Sequence, residues 1–420
     1  MDSPFIYASI ITIGDELLIG QVVDTNSTWM AAELNKAGVW MKRRVAVGDN
    51  RSDIIEALDR ESSQAQIVLI TGGLGPTADD ITKPVLCDYF GGKLVTDPGA
   101  LKNVQDIFTR LQRPMLAVNL KQAEVPDTCT VIQNKRGTAP GMWFEKEGKI
   151  FVSMPGVPHE MKGMMTDFVI PQLQQHFKMP AIVSQTLLTA GIGESFLSEM
   201  IKDFEQGLPS DIKLAYLPNY GMVRLRLTGI SYDAAAIQAN TQSQFDQLKE
   251  RVKDYLVTDR DEPLSSVVAR LLEQTGKTMS TAESCTGGYI AHLITQKSGA
   301  SRYFKGSVVS YDNQVKKELL HVQETTLQTA GAVSEETVRE MVAGALAALK
   351  TDYALAVSGI MGPEGGTPEK PVGTIWAAVG NHQQISTQKF HFRFDRQRNI
   401  ELTANNALNL LRKFIQSQEG

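Results

Sequence analysis

A chain of 420 residues is too long for one hydrophobic core and fits two or three domains. Its 42% hydrophobic and 21% charged residues are the material of a globular protein, and a formal net charge of −5 excludes a global basic field that would draw it onto nucleic acid or an anionic membrane. Three widely spaced cysteines, Cys87, Cys129 and Cys285, fit neither a disulfide framework nor a zinc cluster, so a reducing, cytoplasmic setting is expected.

The start of the chain has an apolar run but no basic n-region, and it reads as a buried strand rather than a signal peptide. No stretch approaches the roughly 18 apolar residues needed to span a bilayer, so no membrane partner is expected. Residues 5–13 (FIYASIITI) form a β-branched run, the pattern of a strand covered on both faces. Asp24, Thr25, Asn26 and Ser27 offer caps for a helix to about residue 35, closed by Gly38. Strand 39–47, helix 52–61 and strand 66–71 follow. Alternating strands and helices imply right-handed crossovers and a mostly parallel sheet, which a helix over 157–175 completes. From about 180 to 258 the texture changes to nearly alternating strands (QTLLTAG, MVRLRLTGI) with helices at 194–204 and 234–256. After a polar break at 259–263, helix 264–275, a strand in 275–284, helix 287–296, helix 335–350, strands 353–358 and 374–379 and a helix over 400–415 describe a second α/β domain. The expected architecture is two three-layer α/β domains, 1–172 and 259–420, joined by a small α+β module at 173–258.

The segment Thr281-Ala282-Glu283-Ser284-Cys285-Thr286-Gly287-Gly288 lies between a predicted strand and a predicted helix, where open α/β sheets place ligands. Two glycines opening a helix let backbone amides approach a phosphate or an oxyanion. Ser284 and Cys285 are the adjacent candidate nucleophiles; the bland reading is a tight turn whose serine caps the helix. A serine needs a base, and none of the six histidines lies in these loops. A desolvated lysine can serve instead, and Lys316, in the first turn after Ser310-Tyr311-Asp312-Asn313, is the best placed. A second glycine-rich loop follows a strand at Ser358, Gly359, Gly362, Gly365 and Gly366.

AESCTGG, SYDNQVK, GAVSEET, SGIMGPEGG and EKPVGTI occur in the order seen in the C-terminal domain of the CinA (competence/damage-inducible) family. The resemblance covers about 260–420 and implies a nicotinamide mononucleotide deamidase of NAD salvage, needing no cofactor. It implies Ser284 as nucleophile, Lys316 as base, Tyr311 assisting proton transfer or orienting the pair, and amides near Gly287 and Gly288 holding the oxyanion. Thr286, Ser358 and the loop glycines would line the substrate. A phosphorylated substrate calls for a cationic anchor, and Arg396 and Arg398 are rivals for it.

In the first domain, Gly14-Asp15-Glu16 precedes Asp24-Thr25-Asn26, and Gly72, Gly73, Gly75 and Thr77 lead into Asp79-Asp80. Exposed glycine amides suit a diphosphate, and the carboxylates make sense if a divalent cation bridges it to the protein. A glycine-rich turn with a capping aspartate is the bland reading. These stretches, with Met154-Pro155-Gly156-Val157-Pro158-His159-Glu160, resemble the molybdopterin-binding fold, and its CinA branch still more closely. That resemblance implies a metal-dependent ADP-ribose pyrophosphatase using Mg²⁺ or a similar ion, with potassium as a further aid. Asp15, Glu16, Asp79, Asp80 and Glu160 are the candidate metal carboxylates, and Asp24, Asn26, Pro155 and Gly156 would join the glycines at the diphosphate. The alternative is a molybdopterin- or nucleotide-binding domain without catalysis. The middle module resembles a KH segment, but Gly191-Ile192-Gly193-Glu194 lacks the Gly-x-x-Gly spacing and basic residues that clamp nucleic acid. A structural role and a homodimer are expected instead.

Overall fold

The computed structural model describes residues 5–77, 79–219 and 221–418. Ala78, in the first glycine-rich loop, lies outside them. The chain divides into two compact units: one runs through Val183 and includes Gly229–Ala239, the other takes Ser184–Thr228 and continues from Asn240.

In the first unit a six-stranded sheet has the order Val39–Val47, Ile6–Ile13, Ile67–Thr71, Lys149–Met154, Gly141–Lys146, Thr130–Ile132. The first four strands are parallel, Gly141–Lys146 runs antiparallel to them, and Thr130–Ile132 pairs antiparallel with Gly141–Lys146. The period of two explains the continuous apolar run of Ile6–Ile13. Ala8 and Ile10 face one core with Met30 and Leu34 of helix Thr25–Lys36. Ile11 and Ile13 face the other with Ile54 and Leu58 of helix Arg51–Ser62. Three layers result.

In the second unit the five-stranded sheet runs Phe304–Val309, Met279–Glu283, Tyr353–Gly359, Thr374–Gly380, Ile385–His391; the first three strands pair in parallel and the last two pairings are antiparallel. Helices Leu264–Thr275 and Arg396–Ser417 cover one face, Asn313–Leu320 and Glu335–Leu349 the other. The intervening module is a four-stranded sheet ordered Ile212–Asn219, Met222–Ser231, Ala181–Ala190, Leu256–Thr258.

Several elements differ from the sequence reading. The helix expected over 157–175 is Pro158–Met164, a π turn at Met165–Val169, and Ile170–His176. Pro171 supplies no amide hydrogen, so the ladder must shift register around it. The helix expected over 194–204 breaks at Ile201 into Glu194–Met200 and Lys202–Gln206. Strand Ile385–His391 (ISTQKFH) escaped detection because an edge strand with one wet face needs little apolar pattern.

Candidate active site

The three parallel strands of the second unit end together, at Glu283, Val309 and Gly359, and their following loops therefore share the carboxyl end of the sheet. Ser284 follows the central strand. It is 8% exposed, and its amide donates to Val357 O at 3.1 Å. The next loop is locked alongside by Ser310 N donating to Glu283 O at 2.8 Å.

Helix Asn313–Leu320 is capped by Asp312, whose carboxylate accepts from Gln314 N, and this points Lys316 inward. Lys316 is 1% exposed. Its Nζ donates to Ser310 O at 2.7 Å and to Tyr311 O at 3.2 Å. Burial lowers its pKa, only partly opposed by Asp312. The two carbonyls take two of the amine's N–H donors, and in the neutral form the lone pair would remain to accept a proton. Among the described residues no hydrogen bond joins Ser284 Oγ to Lys316 Nζ, although catalytic contacts often tighten only with substrate. Cys285 is buried, and burial pushes its thiol up to about 12, which weighs against it as the rival nucleophile.

The amides of Gly287 and Gly288 themselves already have partners. Gly287 N donates to Ser284 O, and Gly288 N donates to the side chain of Glu283 at 3.1 Å. Both glycines have positive φ, 60° and 96°, so the turn itself requires them. Glu283, missed by the sequence reading, is fully buried. It also accepts from Ile290 N at 3.0 Å, Ala291 N at 2.8 Å and the Thr286 hydroxyl at 2.7 Å. Thr286 is thereby committed to the turn. Among the described residues, the amide hydrogens of Cys285 and Thr286 reach no acceptor outside their own residue. They are the donors left for an oxyanion.

The Ser358 hydroxyl likewise has a structural partner, donating to Ala332 O at 2.7 Å. Gly359 packs flush on Ile375, and a side chain on Gly366 would meet Val372 N at 2.7 Å. Gly362 and Gly365 belong to the same loop, which Asn399 ties to the last helix by donating to Met361 O and Phe394 O. The two arginines part company at that helix start. Arg396 donates to Gly362 O at 2.8 Å and to the Tyr311 hydroxyl at 2.9 Å. Arg398 instead lies over the Phe394 ring at 4.3 Å and lines a separate cavity with Gly221 and Met222 of the middle module. The side chain near Tyr311 is Arg396.

In the first unit a cavity of about 460 Å³ is lined by Glu16, Asp24, Asn26, Gly72, Gly73, Gly75, Asp80, Pro155, Gly156 and Glu160, together with Gln122 and the apolar Val22 and Val23. Asp24 caps its helix through Ser27 N, so its bland reading holds as well. Asn26 donates to Gly156 O at 2.7 Å, while its Oδ1 is buried without a partner. Asp15, Thr77 and Asp79 do not line the cavity. Asp15 pairs with Asp49, each carboxylate accepting the other's amide at 3.2 Å. Asp49, overlooked in the sequence, has its pKa raised by burial and by the charges of Asp15, Glu16 and Asp79. Asp80 accepts from Gly75 N, Thr77 N and the Thr77 hydroxyl and so staples the loop. The amide of Gly75 is consequently unavailable to a phosphate. Glu160 accepts from Asn134 at 2.6 Å, and burial raises its pKa. Among the described residues no three acidic, histidine or cysteine side chains converge on a point that could hold a metal ion. The five expected carboxylates therefore do not form a protein cage. Lys83, also unremarked in the sequence, is buried, donates to Gln122 O at 2.6 Å and has its pKa lowered by burial to about 8.

Two α/β folds with a loop site at the end of each sheet define the class, and comparison with known proteins gives the family. Residues 9–175 match the family described as a probable molybdopterin binding domain, 184–258 the damage-inducible protein CinA KH domain, and 261–415 the CinA C-terminal domain. A CinA-like protein of Cytophaga hutchinsonii is 45% identical over 408 residues, covering 97% of this chain and 98% of that one. One from Flavobacterium psychrophilum is 42% identical over 410 residues, covering 97% and 98%. A crystal structure of a CinA superfamily protein from Klebsiella pneumoniae is 35% identical and covers 37% of this chain and 96% of its own, with a TM-score of 0.36. This chain belongs to the CinA family. No helix among the described residues is long and apolar enough to cross a membrane.

Proposed function

We propose that the C-terminal domain is an amidohydrolase that converts nicotinamide mononucleotide to nicotinic acid mononucleotide and ammonia. The observation that carries this reading is the buried Lys316, held by two carbonyls at the end of the sheet where Ser284 emerges. In this mechanism Ser284 Oγ attacks the carboxamide carbon while Lys316 takes its proton. The carbonyl oxygen gains charge and is met by the Cys285 and Thr286 amides. Collapse breaks the C–N bond, and Lys316 returns the proton to the departing ammonia. Lys316 then deprotonates a water that cleaves the acyl-serine, giving the carboxylate and restoring the hydroxyl. Arg396 faces the substrate's phosphate. Ammonia release from nicotinamide mononucleotide without added metal, lost in Ser284→Ala, is the expected result. A Ser284→Ala protein that still releases ammonia refutes the assignment.

For the first domain the reading is a cavity for a phosphorylated nucleotide of the ADP-ribose kind. Gly73 and the Asn26–Gly156 wall support it, whereas the Gly72 amide is already taken by Met154 O. A divalent ion would bring Lewis-acid charge stabilisation, with Glu16 or Asp80 and the ligand's own phosphates as its coordinating oxygens. Incubation with ADP-ribose and Mg²⁺ separates hydrolysis from binding alone: AMP release supports hydrolysis, and calorimetric binding without AMP supports the binding reading.

A further inference from the structure

Tyr311 touches two parts of the proposed amidase site at once. Its main-chain carbonyl accepts from Lys316 Nζ at 3.2 Å, and its hydroxyl accepts from Arg396 Nη2 at 2.9 Å. Tyr311 is 61% exposed, so packing does little to fix the phenol. Its anchor is Arg396, itself held from the other side by Gly362 O at 2.8 Å. The phenol's partner in the fold is thus the arginine rather than Ser284 or Lys316.

A guanidinium has five N–H donors, and these two bonds use two. Three remain, and the phenol, having accepted from Arg396, keeps its own O–H to donate. Both groups can therefore point donors at one anion, an arrangement stronger than either alone because each bond is charge-assisted. Resting on the amidase reading, we propose that Tyr311 is a positioning and specificity residue: its phenol sets Arg396 and completes a clamp for the substrate's phosphate, selecting the phosphorylated nucleotide over the nucleoside. The backbone of the same residue holds Lys316, so the clamp and the base share one short loop between Val309 and Asn313.

The test compares nicotinamide mononucleotide with nicotinamide riboside, which lacks the phosphate. In a Ser284→Ala background, adding Tyr311→Phe is expected to weaken calorimetric binding of the mononucleotide about tenfold and leave the riboside unchanged. With Ser284 intact, Tyr311→Phe is expected to raise KM for the mononucleotide by a similar factor with kcat within about threefold. In an Arg396→Ala background, Tyr311→Phe should have almost no additional effect on mononucleotide binding. A fall in kcat of about a hundredfold with KM unchanged would overturn the proposal in favour of proton transfer. Equal weakening of both ligands, or no mononucleotide binding at all, would also overturn it. If the wild-type chain releases no ammonia, the amidase reading fails, and the binding comparison still decides the role of Tyr311.

Discussion

Replacing Glu283 by glutamine tests the turn that presents Ser284. The side chain is fully buried, and one oxygen accepts from Gly288 N, Ile290 N and the Thr286 hydroxyl. The other accepts from Ala291 N at 2.8 Å, with the hydroxyls of Thr281 and Ser307 at 3.3 and 3.5 Å. A glutamine NH₂ fits better at the second position, because the two hydroxyls can accept from it. Ala291 N–H is then left facing a donor. One orphaned buried amide, plus the loss of charge assistance on the remaining bonds, costs about 3 kcal/mol. For a unit of this size that lowers Tm by about 6–12 °C. Glu283→Ala orphans three amides, about 3–9 kcal/mol, which reaches the total stability of an ordinary domain and should prevent folding. Calorimetry of Glu283→Gln, with hydrogen exchange at Gly288, Ile290 and Ala291, measures both effects. A Tm within about 1 °C of wild type and unchanged exchange at Ala291 would refute the reasoning.

Cys285→Ala should keep more than about half of the amidase rate, whereas Ser284→Ala should lose at least about a thousandfold, measured as ammonia release. Arg396→Ala should raise KM for nicotinamide mononucleotide about tenfold or more, while Arg398→Ala should stay within about threefold, since its guanidinium lies over Phe394. Lys316 acts as a base only when neutral, so the rate should fall on the acid side of its lowered pKa, and Lys316→Arg should abolish it. The pKa of Lys83 falls from its usual 10.5 to about 8 on folding, so between these values the unfolded chain holds a proton that the folded one does not. Stability should therefore rise with pH across that window, by about 3 kcal/mol in all, and Lys83→Met should remove the rise in denaturant titrations.

What could be read from the sequence was local. The apolar run at Ile6–Ile13 marked a strand covered on both faces, and the two glycines after Ser284 marked a strand-to-helix turn, because neighbours along the chain set those constraints. Ser284 and Lys316 were legible as chemistry: a weak nucleophile needs a base, and no histidine stood near. The identity of the oxyanion donors was not, since it depends on which amides Glu283 takes, and a carboxylate's reach is fixed only by the folded turn. The choice between Arg396 and Arg398 turned on contacts with Tyr311 and Gly362, dozens of residues away in the chain. In the first domain the pattern of carboxylates suggested a shared metal. The fold gives several of them protein partners that the sequence does not reveal: Asp15 pairs with Asp49, Asp80 accepts from its own loop and Glu160 accepts from Asn134. Sequence supplied the residue types, and long-range packing decided which polar groups satisfy one another and which remain for a ligand.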